Sequence, residues 1–162
     1  MSAEQLTTFN EIIEKILDHE GGYVNDPTDR GGETKYGISK RAYPNVDIKS
    51  LTLDQAKKIY HQDYWRVGKC DEVPPRLRYI YFDCCVNFGI SGAIKVLQRT
   101  ANSKGADLKV DGKIGSKTIK SIQNLEVDRV RAYRVLRFAK LVIKRPEQER
   151  FWLGWFRRSV KV

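Results

Sequence analysis

Along most of this chain apolar residues recur every three or four positions, and the stretches between are short and rich in Gly, Pro, Asp or Thr. Leu6, Phe9, Ile13, Ile16 and Leu17 form the first such stripe, which predicts an amphipathic helix. Ser2 with Gln5 three residues later is a capping-box start, and Gly21-Gly22 is the stop. Residues 23–38, rich in Gly, Asp and Thr, read as an ordered loop or small hairpin. Thr52 with Gln55 caps a second helix carrying Leu53, Ala56, Ile59, Tyr60 and Tyr64. Pro74-Pro75 breaks the chain before a third stripe, Leu77, Ile80, Tyr81, Cys84 and Phe88, which Gly89 ends. Ser91 opens a further helix through Ile94, Leu97 and Ala101. Beyond a loop at 103–115, helical patterns fill 116–124 and 127–145, and Pro146 opens a last one holding Phe151, Trp152, Trp155 and Phe156. The expected fold class is mainly α: a helical single domain with a small loop or β element after the first helix.

Composition narrows this further. At 162 residues, 41% hydrophobic and 31% charged, the chain suits one globular domain with its own core. No apolar run reaches the roughly 18 residues of a membrane span, so no transmembrane segment is expected. MSAEQLTTF lacks the layout of a secretory signal peptide, which predicts synthesis in the cytoplasm. Cys70, Cys84 and Cys85 are an odd count without disulfide spacing and read as packed free thiols. The net charge of +10 is unevenly placed. Residues 1–112 hold 16 Lys/Arg and 16 Asp/Glu, whereas 113–162 hold 14 against 4. That asymmetry suggests a polyanionic partner: nucleic acid, an anionic membrane or an acidic cell-wall polymer.

The chemistry concentrates in HEGGYVNDPTDRGG, residues 19–32. Glu20 follows Ile16 by four and Leu17 by three, so it continues the apolar face of the first helix. A carboxylate there meets the negative end of the helix macrodipole and partial burial, and both raise its pKa toward what a general acid needs. The glycines after it remove side chains and leave room for a substrate. Asp26 and Asp29 follow on a loop that folds back, which sets up the carboxylate pair of glycoside hydrolysis. His19 and His61 have no metal-ligand spacing, so no metal is expected. Nucleophile-elbow, phosphate-loop and zinc-protease motifs do not occur in the sequence.

Glu20-Gly-Gly-Tyr23, then Asp26-Pro27-x-Asp29-x-Gly31-Gly32-x-Thr34-x-x-Gly37-Ile38, resembles the signature of glycoside hydrolase family 108. It is also similar to the phage-type lysozyme pattern of Glu, eight residues, Asp and then Thr, with Thr34 one residue earlier here. Asp83 to Gln98 resembles the family's Asp…Asn-x-Gly…Leu-Gln segment, with Asn87 and Gly89 in place. Val110–Gly115 with Thr118, and Phe151…Gly154-Trp155…Arg158, are similar to its C-terminal peptidoglycan-binding region. The resemblance implies a lysozyme-like α+β fold, with residues 1–92 as catalytic region and 93–162 as a helical peptidoglycan-binding-like region packed on it.

It also implies an N-acetylmuramidase, of the kind found in phage endolysins and in bacterial loci linked to lysis or protein release. Glu20 is then the general acid. Asp29, or Asp26, activates water or stabilises the transition state, and Thr34 orients that water. Tyr23, Asp26, Tyr36 and Asn87 complete the candidate substrate-binding set. No cofactor is needed. The expected partner is the peptidoglycan glycan strand, with no nucleic acid, and a monomer is expected. The enzyme acts in the periplasm or cell wall after leaving the cytoplasm through a holin-like pore or another export route. Two alternatives stay open: a lytic transglycosylase, which uses one acid and no attacking water, and a non-catalytic basic module that binds cell wall or nucleic acid. The C-terminal cations, Arg157 and Arg158 among them, are the candidates for holding the wall.

Overall fold

The computed structural model describes residues 7–18, 22–25 and 32–162. Helix α1 (Phe9–Leu17) starts at Thr8, not at Ser2. Thr8 accepts from the Glu11 amide, and the Glu11 side chain returns the bond to the Thr8 backbone at 2.9 Å. Thr-x-x-Glu satisfies two orphan donors as well as any earlier box would. Ser2 and Gln5 lie outside the described residues. The buried face of α1 is Ile13, Ile16 and Leu17 of the expected stripe together with Ile12, while Phe9 is half-buried.

A three-stranded antiparallel sheet follows: β1 (Val24–Asn25), β2 (Glu33–Lys35) and β3 (Ile38–Ser39), in that order. Val24 pairs with Thr34, and Lys35 with Ile38. The β2–β3 turn therefore has two residues, Tyr36 (φ 52°) and Gly37 (φ 74°). Positive φ at both central positions is the hairpin turn that matches strand twist. Glycine adopts it freely; tyrosine does so at a cost of about 1–2 kcal/mol. The Tyr60 hydroxyl donates to the Tyr36 carbonyl at 3.0 Å and holds the turn against the helical core.

Helix α2 (Leu53–Tyr60) has the expected Thr52–Gln55 capping box. It continues as a π-helical turn, His61–Arg66, whose wider pitch places Trp65 five residues after Tyr60, both buried. Phe9, Trp65 and Phe82 meet edge to face at 5.2–5.9 Å between ring centroids, tying α1, this turn and the next helix together. A 3-10 turn (Cys70–Glu72) leads into α3 (Pro75–Asn102). Pro75 sits in its first turn, where a missing N–H costs nothing.

Gly89 has φ 71° and ψ 162°, so α3 is two helical halves joined at the break its sequence predicts. By length and composition α3 is apolar enough to cross a membrane. Here those side chains are core: Leu77, Ile80, Phe82, Ile94 and Leu97 are all buried. Helices α4 (Ser116–Ser121), α5 (Val127–Lys144) and α6 (Trp152–Lys161) complete the fold, with a 3-10 turn (Pro146–Phe151) before α6. Helix α5 packs along α3, and α6 returns along α5. The whole is one mainly helical, lysozyme-like domain with a small sheet.

The loop at 103–115 is pinned by Gln98, which is buried. Its amide donates to Asp111 (2.9 Å) and the Lys113 carbonyl (3.1 Å), and its oxygen accepts from the Gly112 N–H at 2.9 Å. Gly112 has φ 76°, and a Cβ there would lie 2.2 Å from Ser91 Oγ and 2.9 Å from the Ser91 carbonyl. The apolar spacing of Phe151, Trp152, Trp155 and Phe156 reads as core, but only Trp152 and Trp155 are half-buried, Trp155 stacking on Phe138 at 4.8 Å, whereas Phe151 and Phe156 are exposed.

Candidate active site

Helix α1 is capped by Asp18 and seats its last turn in the core through Ile16 and Leu17. Glu20 follows two residues later. Glu20, Asp26 and Asp29 lie outside the described residues, so the site is read from the frame around them. In sequence they are flanked by α1 and the strands of the hairpin.

Tyr23 is exposed and its hydroxyl donates to Glu33 at 2.8 Å, joining the segment after α1 to β2. The Glu33 carboxylate, by accepting that bond, raises the Tyr23 pKa. Thr34 lies between Val24 and Ser39 in the ladder, half-buried, with its hydroxyl 3.5 Å from the Gly32 carbonyl. Strand alternation turns Thr34 away from the face of Glu33 and Lys35. Tyr36 is half-buried in its left-handed turn, with the Lys35 ammonium 5.5 Å from its ring centroid. The hairpin thus brings Tyr23 and Thr34 onto one small sheet with Tyr36 at its turn, and the β1–β2 connection is the segment that carries Asp26 and Asp29.

Asn87 is exposed on α3, two residues before the Gly89 break. Its amide donates back to Asp83, to the carbonyl at 2.6 Å and to Oδ2 at 3.1 Å. Asp83 is itself the centre of a buried ion cluster. Arg134 of α5 donates through Nη2 to Oδ2, and Arg158 of α6 through Nη2 (2.7 Å) and Nε (3.0 Å) to Oδ1. Asp83 is 1% exposed and Arg134 0%. Arg158, expected among the wall-holding cations, is therefore engaged inside the fold, with only 20% of its side chain exposed.

The sequence does carry a signal for this cluster, a charge on an apolar stripe. Asp83 follows Ile80 by three, and Arg134 sits between Val130 and Phe138, both buried, at four-residue spacing. A charge at such a position is buried only with a partner.

A surface cavity of about 410 Å³ lies at the other end of α1, lined by Thr8, Phe9, Asn10, Lys57, Lys58, His61 and Gln62. It has no lining carboxylate and does not suit acid catalysis. His61 packs its ring against Phe9 at 4.8 Å, and His19 lies outside the described residues. Among the described residues no group of three His, Cys, Asp or Glu side chains is placed to hold a metal ion. Cys70, Cys84 and Cys85 are buried free thiols, as expected, and burial pushes Cys84 up to about 12.

Residues 13–89 match the family model described as Glycosyl hydrolase 108, and residues 92–160 the one described as Predicted Peptidoglycan domain. Residues 13–89 belong to glycosyl hydrolase family 108. A solved structure, that of Brucella abortus SagA, superimposes with a TM-score of 0.78 at 26% sequence identity, covering 94% of this chain and 90% of that one. No curated protein matches. The two regions together make this chain a glycoside hydrolase of peptidoglycan, acting on the cell wall.

Proposed function

We propose that the chain is an N-acetylmuramidase that hydrolyses the β-1,4 bond between N-acetylmuramic acid and N-acetylglucosamine. The observation that carries this reading is the segment from Glu20 to Ile38, which lies within the family-108 match and whose described part folds as a hairpin. Glu20 acts as general acid. It follows a helix end that has a negative macrodipole pole and a buried last turn, two influences that keep a carboxyl protonated nearer neutral pH. Asp29 guides water to the anomeric carbon and Thr34 orients it; Asp26, before Pro27, shapes the turn. Tyr23, Tyr36 and Asn87 line the glycan path.

In this reading residues 1–92 carry the chemistry and 93–162 hold the wall, in a monomer. It is made in the cytoplasm and reaches the periplasm through a holin-like pore or another exporter, for lysis or protein release. The basic excess of the last third suits an anionic wall.

The test is clearance of purified peptidoglycan, with Glu20→Gln lowering turnover by orders of magnitude in a folded protein. Digests should show reducing-end N-acetylmuramic acid. Mostly 1,6-anhydro products would replace hydrolysis by lytic transglycosylation, and a fully active Gln variant would remove Glu20 from the chemistry.

A further inference from the structure

The Asp83 cluster joins three helices, α3, α5 and α6. Two guanidiniums face one carboxylate, and Arg134 Nε and Nη1 have no hydrogen-bond partner among the described residues. A buried ion cluster is seldom the most stable filling for a core, since well-packed apolar side chains do as well or better. Its position gives it another use. On one side, Asp83 receives the Asn87 amide and so fixes a side chain that the muramidase reading assigns to the glycan path. On the other, Tyr79, one turn earlier on α3, lies within electrostatic reach of both the cluster and Asp18 at the end of α1. Burial and then Asp83 raise its pKa, Arg158 and Arg134 lower it, and Asp18 raises it further. Helix α1 is tied to the same half of α3 by Phe9, whose ring meets Phe82 at 5.9 Å, and by Arg78, which donates to the Thr7 carbonyl at 3.0 Å.

We propose that Arg158, on helix α6, is a positioning residue for hydrolysis. By gripping Asp83 through Nε and Nη2, it holds Asn87 and the α1 end in register on α3, so the peptidoglycan-domain half completes the catalytic half. The inference rests on the muramidase reading, with Glu20 just beyond α1. Arg134 alone neutralises Asp83 and can hold the fold. The second guanidinium, which reaches Asp83 from 75 residues away, is the one that couples the C-terminal helix to the site.

Arg158→Met tests this, because it keeps the stem and leaves a neutral Asp83–Arg134 pair. Expected is a fall in kcat of tenfold or more on soluble glycan strands, with KM and sacculus pull-down within twofold of the unmodified protein and near-UV circular dichroism unchanged. Arg158→Lys should regain part of kcat by restoring the charge without the fork. Arg66→Met, at an exposed cation on the π-helical turn, should leave kcat alone. Should Arg158→Met fail to fold, Arg158→Lys decides by the same split. Arg158 variants with normal kcat beside an inactive Glu20→Gln overturn the positioning role and leave the muramidase reading intact. An active Glu20→Gln overturns the reading itself, whatever Arg158 does.

Discussion

Removing the carboxylate of Asp83 strands the charges it serves, and the structure sets the size of the loss. Asp83→Ala deletes the acceptor for Arg134, Arg158 and the Asn87 amide together. Arg158 has some access to water and can partly recover its hydration. Arg134 has none, and two of its nitrogens already lack partners among the described residues. Breaking one side of a buried pair costs about 3–5 kcal/mol, and the complete burial of Arg134 places Asp83→Ala in the upper half of that range. A domain of this size is stable by about 5–15 kcal/mol, so the variant should fold with much of its margin gone. At about 2–4 °C per kcal/mol, its Tm should drop by roughly 8–20 °C. The assay is thermal and urea unfolding followed by near-UV circular dichroism, with Asp83→Leu/Arg134→Met/Arg158→Leu beside it. The triple variant removes every charge and should recover most of the loss. An Asp83→Ala cost below about 1 kcal/mol would refute the claim that the cluster is buried and mutually dependent.

Gly112→Ala should destabilise by about 2–4 kcal/mol in the same unfolding assay, combining a left-handed backbone with a contact to Ser91 backbone; a neutral result would mean the loop is not docked on α3. Asp29→Asn should damage turnover far more than Asp26→Asn, with Thr34→Ala intermediate, measured by peptidoglycan clearance. Sacculus pull-down should weaken as salt rises past the point where screening lengths fall below about 8 Å, and Arg157→Ser should weaken it too; indifference to both would detach the basic third from wall binding. Native protein should resist thiol reagents near pH 8, because all three cysteines are buried. Folded Cys84 ionises only near 12 against an ordinary value of 9, so the unfolded chain binds fewer protons above pH 9, and stability should fall from there to about 12. A rise in stability across that window would contradict its burial.

The features legible in the amino-acid order are those decided within one helical turn or one hairpin. The Thr52–Gln55 cap, the break at Gly89 and the buried stripe of α1 depend on residues three or four apart. The spacing of Glu20 to the aspartates and Thr34 made the family resemblance readable. Even locally, two valid caps competed for α1, and Thr8 won through a reciprocal bond with Glu11. Beyond that range the sequence was silent on partners. Asp83 meets Arg134 across 51 positions and Arg158 across 75. Gln98 finds Asp111 only once the loop has folded back along α3. Which surface cations hold a wall, and which one enters the core, depends on how α6 docks. The physical reason is that a charge contributes according to its burial and partner, and both arise only when distant helices pack.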